Sequence, residues 1–167
     1  MNTQTLTPAA PVTPAADAAR ERKTMSSEEG RRWAERIAKI DPNAKARFGK
    51  MTVAEMVVHC RLQFEATWSG EPKPVGLMGR TFMKFIVLSG PWPKGKTPTY
   101  PAWDMSTNGM RPGKFAEDVK ALAAAAERFF AGGYPRISSP VIGPLSEPDW
   151  IKLQRRHLEH HLSQFGA

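Results

Sequence analysis

The chain has 167 residues, with 24 Lys+Arg, 16 Asp+Glu, four His and one Cys. That length fits one domain of about 100–200 residues and excludes a multidomain enzyme. A 41% hydrophobic fraction with five Trp can build a core, which argues against disorder throughout, and a single Cys excludes a disulfide framework and suits a reducing cytoplasm. The formal charge of +8 and pI near 9.9 raise the question of nucleic acid, since phosphate neutralisation drives such binding. Half of that charge falls in residues 70–113, where Lys73, Arg80, Lys84, Lys94, Lys96 and Arg111 face only Glu71 and Asp104. No base-reading motif accompanies them, so a solvated basic face is expected rather than a nucleic-acid surface.

Residues 1–25 read as a disordered Ala/Pro/Thr tail and residues 26–167 as the domain. The tail has no apolar run of signal-peptide length, and Arg31-Arg32 is followed by Glu35, Arg36 and Lys39, which a twin-arginine signal would not tolerate. Ser26 and Glu29 have capping-box spacing, and Trp33, Ile37 and Ile40 continue at helical spacing until Asp41-Pro42. A second capping box, Thr52 and Glu55, opens a helix with Val53, Met56, Val57, Cys60 and Phe64 on one apolar stripe, ending near Ser69-Gly70. Leu77 to Leu88 reads as a short helix, with a strand at Phe85-Ile86-Val87 as the alternative. The longest apolar run in this stretch, broken by Lys84, is far short of the roughly 18 residues of a membrane span.

Residues 89–113 hold five Pro and four Gly, the composition of a long irregular segment of the kind that forms lids and mouths. Phe115, Val119, Leu122, Ala126 and Phe129 then mark an amphipathic helix closed by Gly132-Gly133, and Ser146 to Asp149 caps a final helix running to about Gln164. Four long helices with one long crossover, from 70 to 113, predict an all-α four-helix bundle in which the crossover carries the short helix and a Pro-rich loop.

The last helix carries the chemistry. At about 100° per residue with His157 at zero, Leu153, Trp150, Phe165, Leu158 and Leu162 fall at about −40°, 20°, 80°, 100° and 140°. His157 and His161 therefore lie inside the apolar arc, His160 at its rim, and Arg155 and Glu159 on the solvent side. Imidazoles one turn apart on one face can reach one ion. They can equally be half-buried histidines bonded to backbone carbonyls or to Gln164. His59, flanking the stripe of its helix near Gln63 and Glu55, completes a three-nitrogen site if the two helices are neighbours, with open positions as in catalytic zinc. Glu55 and Gln63 are candidate acceptors for the second ring nitrogens. Cys60, mid-stripe, reads as a buried and inert thiol. Trp92 and Trp103 are candidate pocket walls.

The segments Gly49-Lys50-Met51-Thr52-Val53-Ala54-Glu55-Met56-Val57-Val58-His59-Cys60 and Gly143-Pro144-Leu145-Ser146 through Trp150, Leu153, His157, His161, Leu162, Gln164, Phe165 and Gly166 resemble the DinB-like superfamily of metalloproteins, and within it a branch of unknown function. The resemblance spans about residues 26–166. It implies a four-helix bundle in which His59, His157 and His161 bind a divalent metal. Members of this bacterial superfamily include transferases and isomerases that use low-molecular-weight thiols, and hydrolases, and dimers are common. Ser139-Pro140-Val141-Ile142-Gly143 departs from the His-Pro-aromatic sequence of many relatives.

The expected function is thus a cytoplasmic metal-dependent enzyme that activates water or a thiol. Zinc is the default ion, with nickel or iron as alternatives. Lys94 and Lys96 are candidate binding residues for an anionic small-molecule substrate or thiol cofactor. No general base stands out. The alternative is a non-catalytic bundle, again as a possible homodimer, that binds an anionic ligand or partner through its basic crossover. Neither membrane nor nucleic acid is an expected partner.

Overall fold

The computed structural model describes residues 14–69, 76–92, 101, 104–132 and 138–167. Among the described residues five α-helices form in chain order: α1 Pro14–Ile37, α2 Val53–Ser69, α3 Lys84–Ser89, α4 Phe115–Phe130 and α5 Glu147–Phe165. The fold is all-α, and the four long helices make the bundle. Among the described residues no strand forms, and no helix is long and apolar enough to cross a membrane.

Local capping fixes the starts of α2 and α5. At α2 the capping box closes in both directions: the Thr52 backbone N–H donates to Glu55 Oε2 at 2.8 Å, and the Glu55 N–H donates to Thr52 Oγ1 at 3.2 Å. At α5 Ser146 Oγ accepts from the Asp149 N–H at 3.3 Å, with Pro148 in the first turn. The helix ends where the Ala167 N–H returns to the Leu162 carbonyl at 3.0 Å, past Gly166. The Ser26 box does not form, because α1 is already helical from Pro14. The stretch between them is rich in Ala, Arg, Glu and Lys, all good helix formers, and the Glu29 carboxylate is used elsewhere. At the crossover a π-helical turn, Gly79–Met83, leads into α3. The strand alternative at Phe85-Ile86-Val87 is not adopted.

Packing gives the helix directions. Phe64 of α2 packs against Phe129 and Phe130 of α4 with ring centroids 5.4 and 6.5 Å apart, and Arg128 covers Trp68, so the C-terminal ends of α2 and α4 meet and the two helices run parallel. Only a long connection can join neighbouring parallel helices, which is the role of the crossover. α5 runs antiparallel to α2: Gln164, at its end, meets Phe48 and Arg47 ahead of α2. α1 is tied to α5 by Arg155–Glu29 and Arg36–Glu159 pairs. Gly30 lets α1 press on α4, since a Cβ there would stand 3.1 Å from Glu127 Cα and Phe130 Cβ. The apolar core gathers Ile37, Met56, Val57, Phe64, Leu122, Phe129, Leu158 and Leu162.

Candidate metal centre

The antiparallel pairing of α2 and α5 brings His59 against His157 and His161. All three are nearly buried, at 5, 5 and 6% exposure. His59 Nε2 and His157 Nε2 are 3.0 Å apart. Ring centroids lie 5.0 Å apart for His59–His157, 4.8 Å for His59–His161 and 4.5 Å for His157–His161. One nitrogen from each ring can be chosen so that all three lie within 4.8 Å of one another. Two nitrogens on one tetrahedral zinc, each about 2.0–2.1 Å from it, stand about 3.3 Å apart, so small ring rotations suffice for a shared ion.

The charge state suits a ligand role. Burial, reinforced by the neighbouring imidazoles, holds His157 well below its ordinary range, and burial with His59 nearby brings His161 down to about 3. Both rings are therefore neutral near pH 7 and keep a lone pair for a cation. The second nitrogens differ. His161 Nδ1 lies 3.1 Å from Gln164 Oε1, while Gln164 Nε2 donates to the Phe48 carbonyl at 2.6 Å. Gly49 makes that approach possible: its φ is +76°, and a Cβ there would stand 2.6 Å from Gln164 Nε2. His157 Nδ1 is buried with no hydrogen bond.

One side of the centre is walled by aromatic rings. Trp92 lies 5.9 Å from His157 and 5.3 Å from His160, and Phe48 lies 5.2 Å from His160. Trp92 is held by its indole N–H donating to the Val87 carbonyl at 2.8 Å, with the Arg156 guanidinium 5.7 Å from its ring centroid. Arg156 in turn donates to the Val87 and Gly90 carbonyls, which fastens the end of α3 to α5. Two shallow surface grooves, of about 440 and 330 Å³, lie elsewhere, one along α1 at Arg20 and Arg31 and one at Trp68 and Arg128.

The structure thus brings together the three predicted ligands, puts His160 at the rim and makes Trp92 a wall. The Gln164 partner foreseen for a buried histidine is realised on His161. Cys60 is fully buried against Met56, and desolvation pushes its thiol pKa up, as its mid-stripe position implied. Two expectations fail. Glu55 uses its carboxylate on the Thr52 cap, and Gln63 Oε1 accepts no hydrogen bond, so neither serves a ring nitrogen. Lys94, Lys96 and Trp103 lie outside the described residues; Lys84 of the same basic stretch pairs with Asp149 at 2.9 Å. The departing loop folds as a tight turn in which the Ser139 hydroxyl accepts from the Val141 and Ile142 N–H groups and Ile142 is buried, so it serves as an apolar plug.

Gln154 is the site residue that sequence reasoning passed over. It is fully buried, and the signal was available: three residues before His157 puts it at about 60°, in the middle of the core-facing arc.

No curated protein and no solved structure matches the chain. A family model described as "Protein of unknown function (DUF1569)" matches residues 19–167, a span that takes in all five helices from within α1 onward and every histidine of the centre. The chain belongs to the DUF1569 family.

Proposed function

We propose that the chain is a DinB-like, metal-dependent enzyme of the bacterial cytoplasm, in which His59, His157 and His161 hold one divalent ion. Zinc is the default for three imidazoles, with nickel or iron as alternatives. The observation that carries the proposal is the convergence of three buried imidazoles from two antiparallel helices, two of them held neutral, with a 3.0 Å Nε2–Nε2 separation. An ion with three protein ligands keeps open positions at which water or a thiol loses its proton near neutral pH.

The chain's own residues supply the setting. Gln164 orients the His161 ring, and Trp92, Phe48 and His160 keep bulk water from one side. Lys94 and Lys96 attract an anionic small-molecule substrate or a low-molecular-weight thiol. Hydrolysis and thiol transfer are the two reactions such a site serves, and a homodimer is the assembly the superfamily likeness suggests. Purification without a histidine tag, followed by metal analysis, tests the reading: about one ion per chain is expected, and its loss in His157→Ala. Metal far below that, or unchanged by the substitution, rejects it.

One observation favours a second reading. Leu77, Met78, Phe82 and Phe85 are exposed in the same crossover that carries the basic residues, which gives a non-catalytic bundle an apolar surface beside its charges for docking a partner. On that reading chelation leaves the melting temperature unchanged, and charge reversal at Lys94 and Lys96 abolishes binding.

A further inference from the structure

The buried sides of α2 and α5 hold more polar groups than three ligands need. Both side-chain amide atoms of Gln154, together with His157 Nδ1, Gln63 Oε1 and Trp150 Nε1, are buried without a hydrogen bond. Native interiors leave few polar atoms unpaired, so five on these two neighbouring helices require a cause.

Their chemistry is complementary. A helical side chain leans toward the helix N-terminus, so His157 leans over the turn that carries Gln154. Because α2 and α5 run antiparallel through the His59–His157 contact, Gln63, one turn after His59, comes level with Gln154, about one turn before His157. Trp150 follows on the same face of α5 one turn further on. An imidazole that gives Nε2 to a cation carries its proton on Nδ1 and becomes a donor there. Gln154 offers an acceptor and a donor, Gln63 an acceptor and Trp150 a donor.

We infer that Gln154 and Gln63 are positioning residues that close on metal binding, with His157 Nδ1–H donating to Gln154 Oε1, Gln154 Nε2–H donating to Gln63 Oε1, and the Trp150 indole N–H taking a remaining lone pair. The other α5 ligand already has this device: His161 Nδ1 meets Gln164 Oε1, and Gln164 Nε2 donates onward to the Phe48 carbonyl. One glutamine three residues before His157 and one three residues after His161 would fix both imidazoles with Nε2 toward the ion. The inference rests on the metal reading and assigns what holds its ligands.

The test uses the full chain, Zn²⁺ as the probe, and the variants Gln154→Leu and Gln63→Leu. Zinc affinity, measured by chelator competition, is expected to fall about 10–100-fold in Gln154→Leu and by a similar factor in Gln63→Leu. The double variant is expected to lose no more than the worse single one. The melting temperature of the metal-free Gln154→Leu protein should hold or rise, because two unpaired polar atoms leave its core. In zinc-loaded wild type the His157 Nδ1 proton should give a slowly exchanging downfield NMR signal that Gln154→Leu lacks. Zinc affinity within about twofold of wild type with that signal retained, or a metal-free melting temperature that drops as far as the zinc-loaded one, overturns the relay and leaves the metal reading standing. Wild-type protein that takes up no zinc overturns both.

Discussion

The two sides of α2 are built on opposite principles. Toward α4 it presents Phe64 to Phe129 and Phe130 in an apolar contact of one tilted and one edge-on ring pair, and α4 in turn receives α1 over a glycine. Toward α5 it presents His59 to His157 and His161, with Gln63 on α2 and Gln154 on α5 buried and carrying unpaired atoms. The first interface stabilises the fold through apolar area and close packing. The second costs stability, since buried polar groups without partners are penalised. On the metal reading proposed above, the polar groups are kept for the ion, and the apolar side offsets their cost.

That contrast can be broken by substitution on each side. Truncating the apolar side with Phe129→Ala should cost about 3–5 kcal/mol in denaturant unfolding. Metal stoichiometry per folded molecule should not change, because Phe129 packs with Phe64 and Phe130 and is not one of the three histidines. A comparable loss from His157→Leu in metal-free protein would erase the distinction between the two interfaces.

Removing the ion is the next largest effect. A site held at about 100 times its dissociation constant contributes about 2.7 kcal/mol, so chelation should lower the melting temperature of wild type and leave that of His59→Ala unmoved. Equal melting temperatures for wild type with and without chelator would favour the non-catalytic reading.

The pH response sharpens the comparison further. His157 is held well below 6.5 and His161 at about 3 in the folded chain. As pH falls through about 6.5 the unfolded chain takes up protons first. The stability of the metal-free protein is therefore full above that pH and lost as pH drops toward about 3, at up to about 1.4 kcal/mol per pH unit for each histidine. His157→Leu should make the slope shallower, whereas Phe129→Ala should shift the whole curve without changing its slope; urea unfolding at a series of pH values separates the two.

The smallest effect belongs to the surface between α1 and α5. Arg155 holds Glu29 through two hydrogen bonds of 2.5 Å, but the arginine is half exposed. Glu29→Gln should cost below about 1 kcal/mol, readable as a small drop in the denaturation midpoint with metal content unchanged.

Much of this was legible in the residues, and what was not has physical reasons. The Thr52–Glu55 and Ser146–Asp149 caps are local, so spacing alone placed the starts of α2 and α5, and with them the three histidines. The Ser26–Glu29 spacing misled because the same residues sit inside a run of strong helix formers, and Glu29 finds Arg155 across the bundle, a contact no local pattern encodes. Glu55 was ambiguous in the same way: its position served either a cap or a ring nitrogen, and the cap, nearer in sequence, took it. Gln154 was missed because a glutamine on a helix reads as surface until its angle is counted. His157, about one turn further along the core-facing side, attracted notice only because its chemistry is conspicuous.

The most direct test of the central claim is X-ray absorption at the zinc edge on untagged, zinc-loaded protein, compared with His59→Ala. A centre built from His59, His157 and His161 predicts nitrogen or oxygen neighbours at about 2.0–2.1 Å with imidazole outer-shell scattering that weakens by about a third in the variant. Sulfur scattering at about 2.3 Å, which would bring in Cys60, or a spectrum that His59→Ala leaves unchanged, would contradict it.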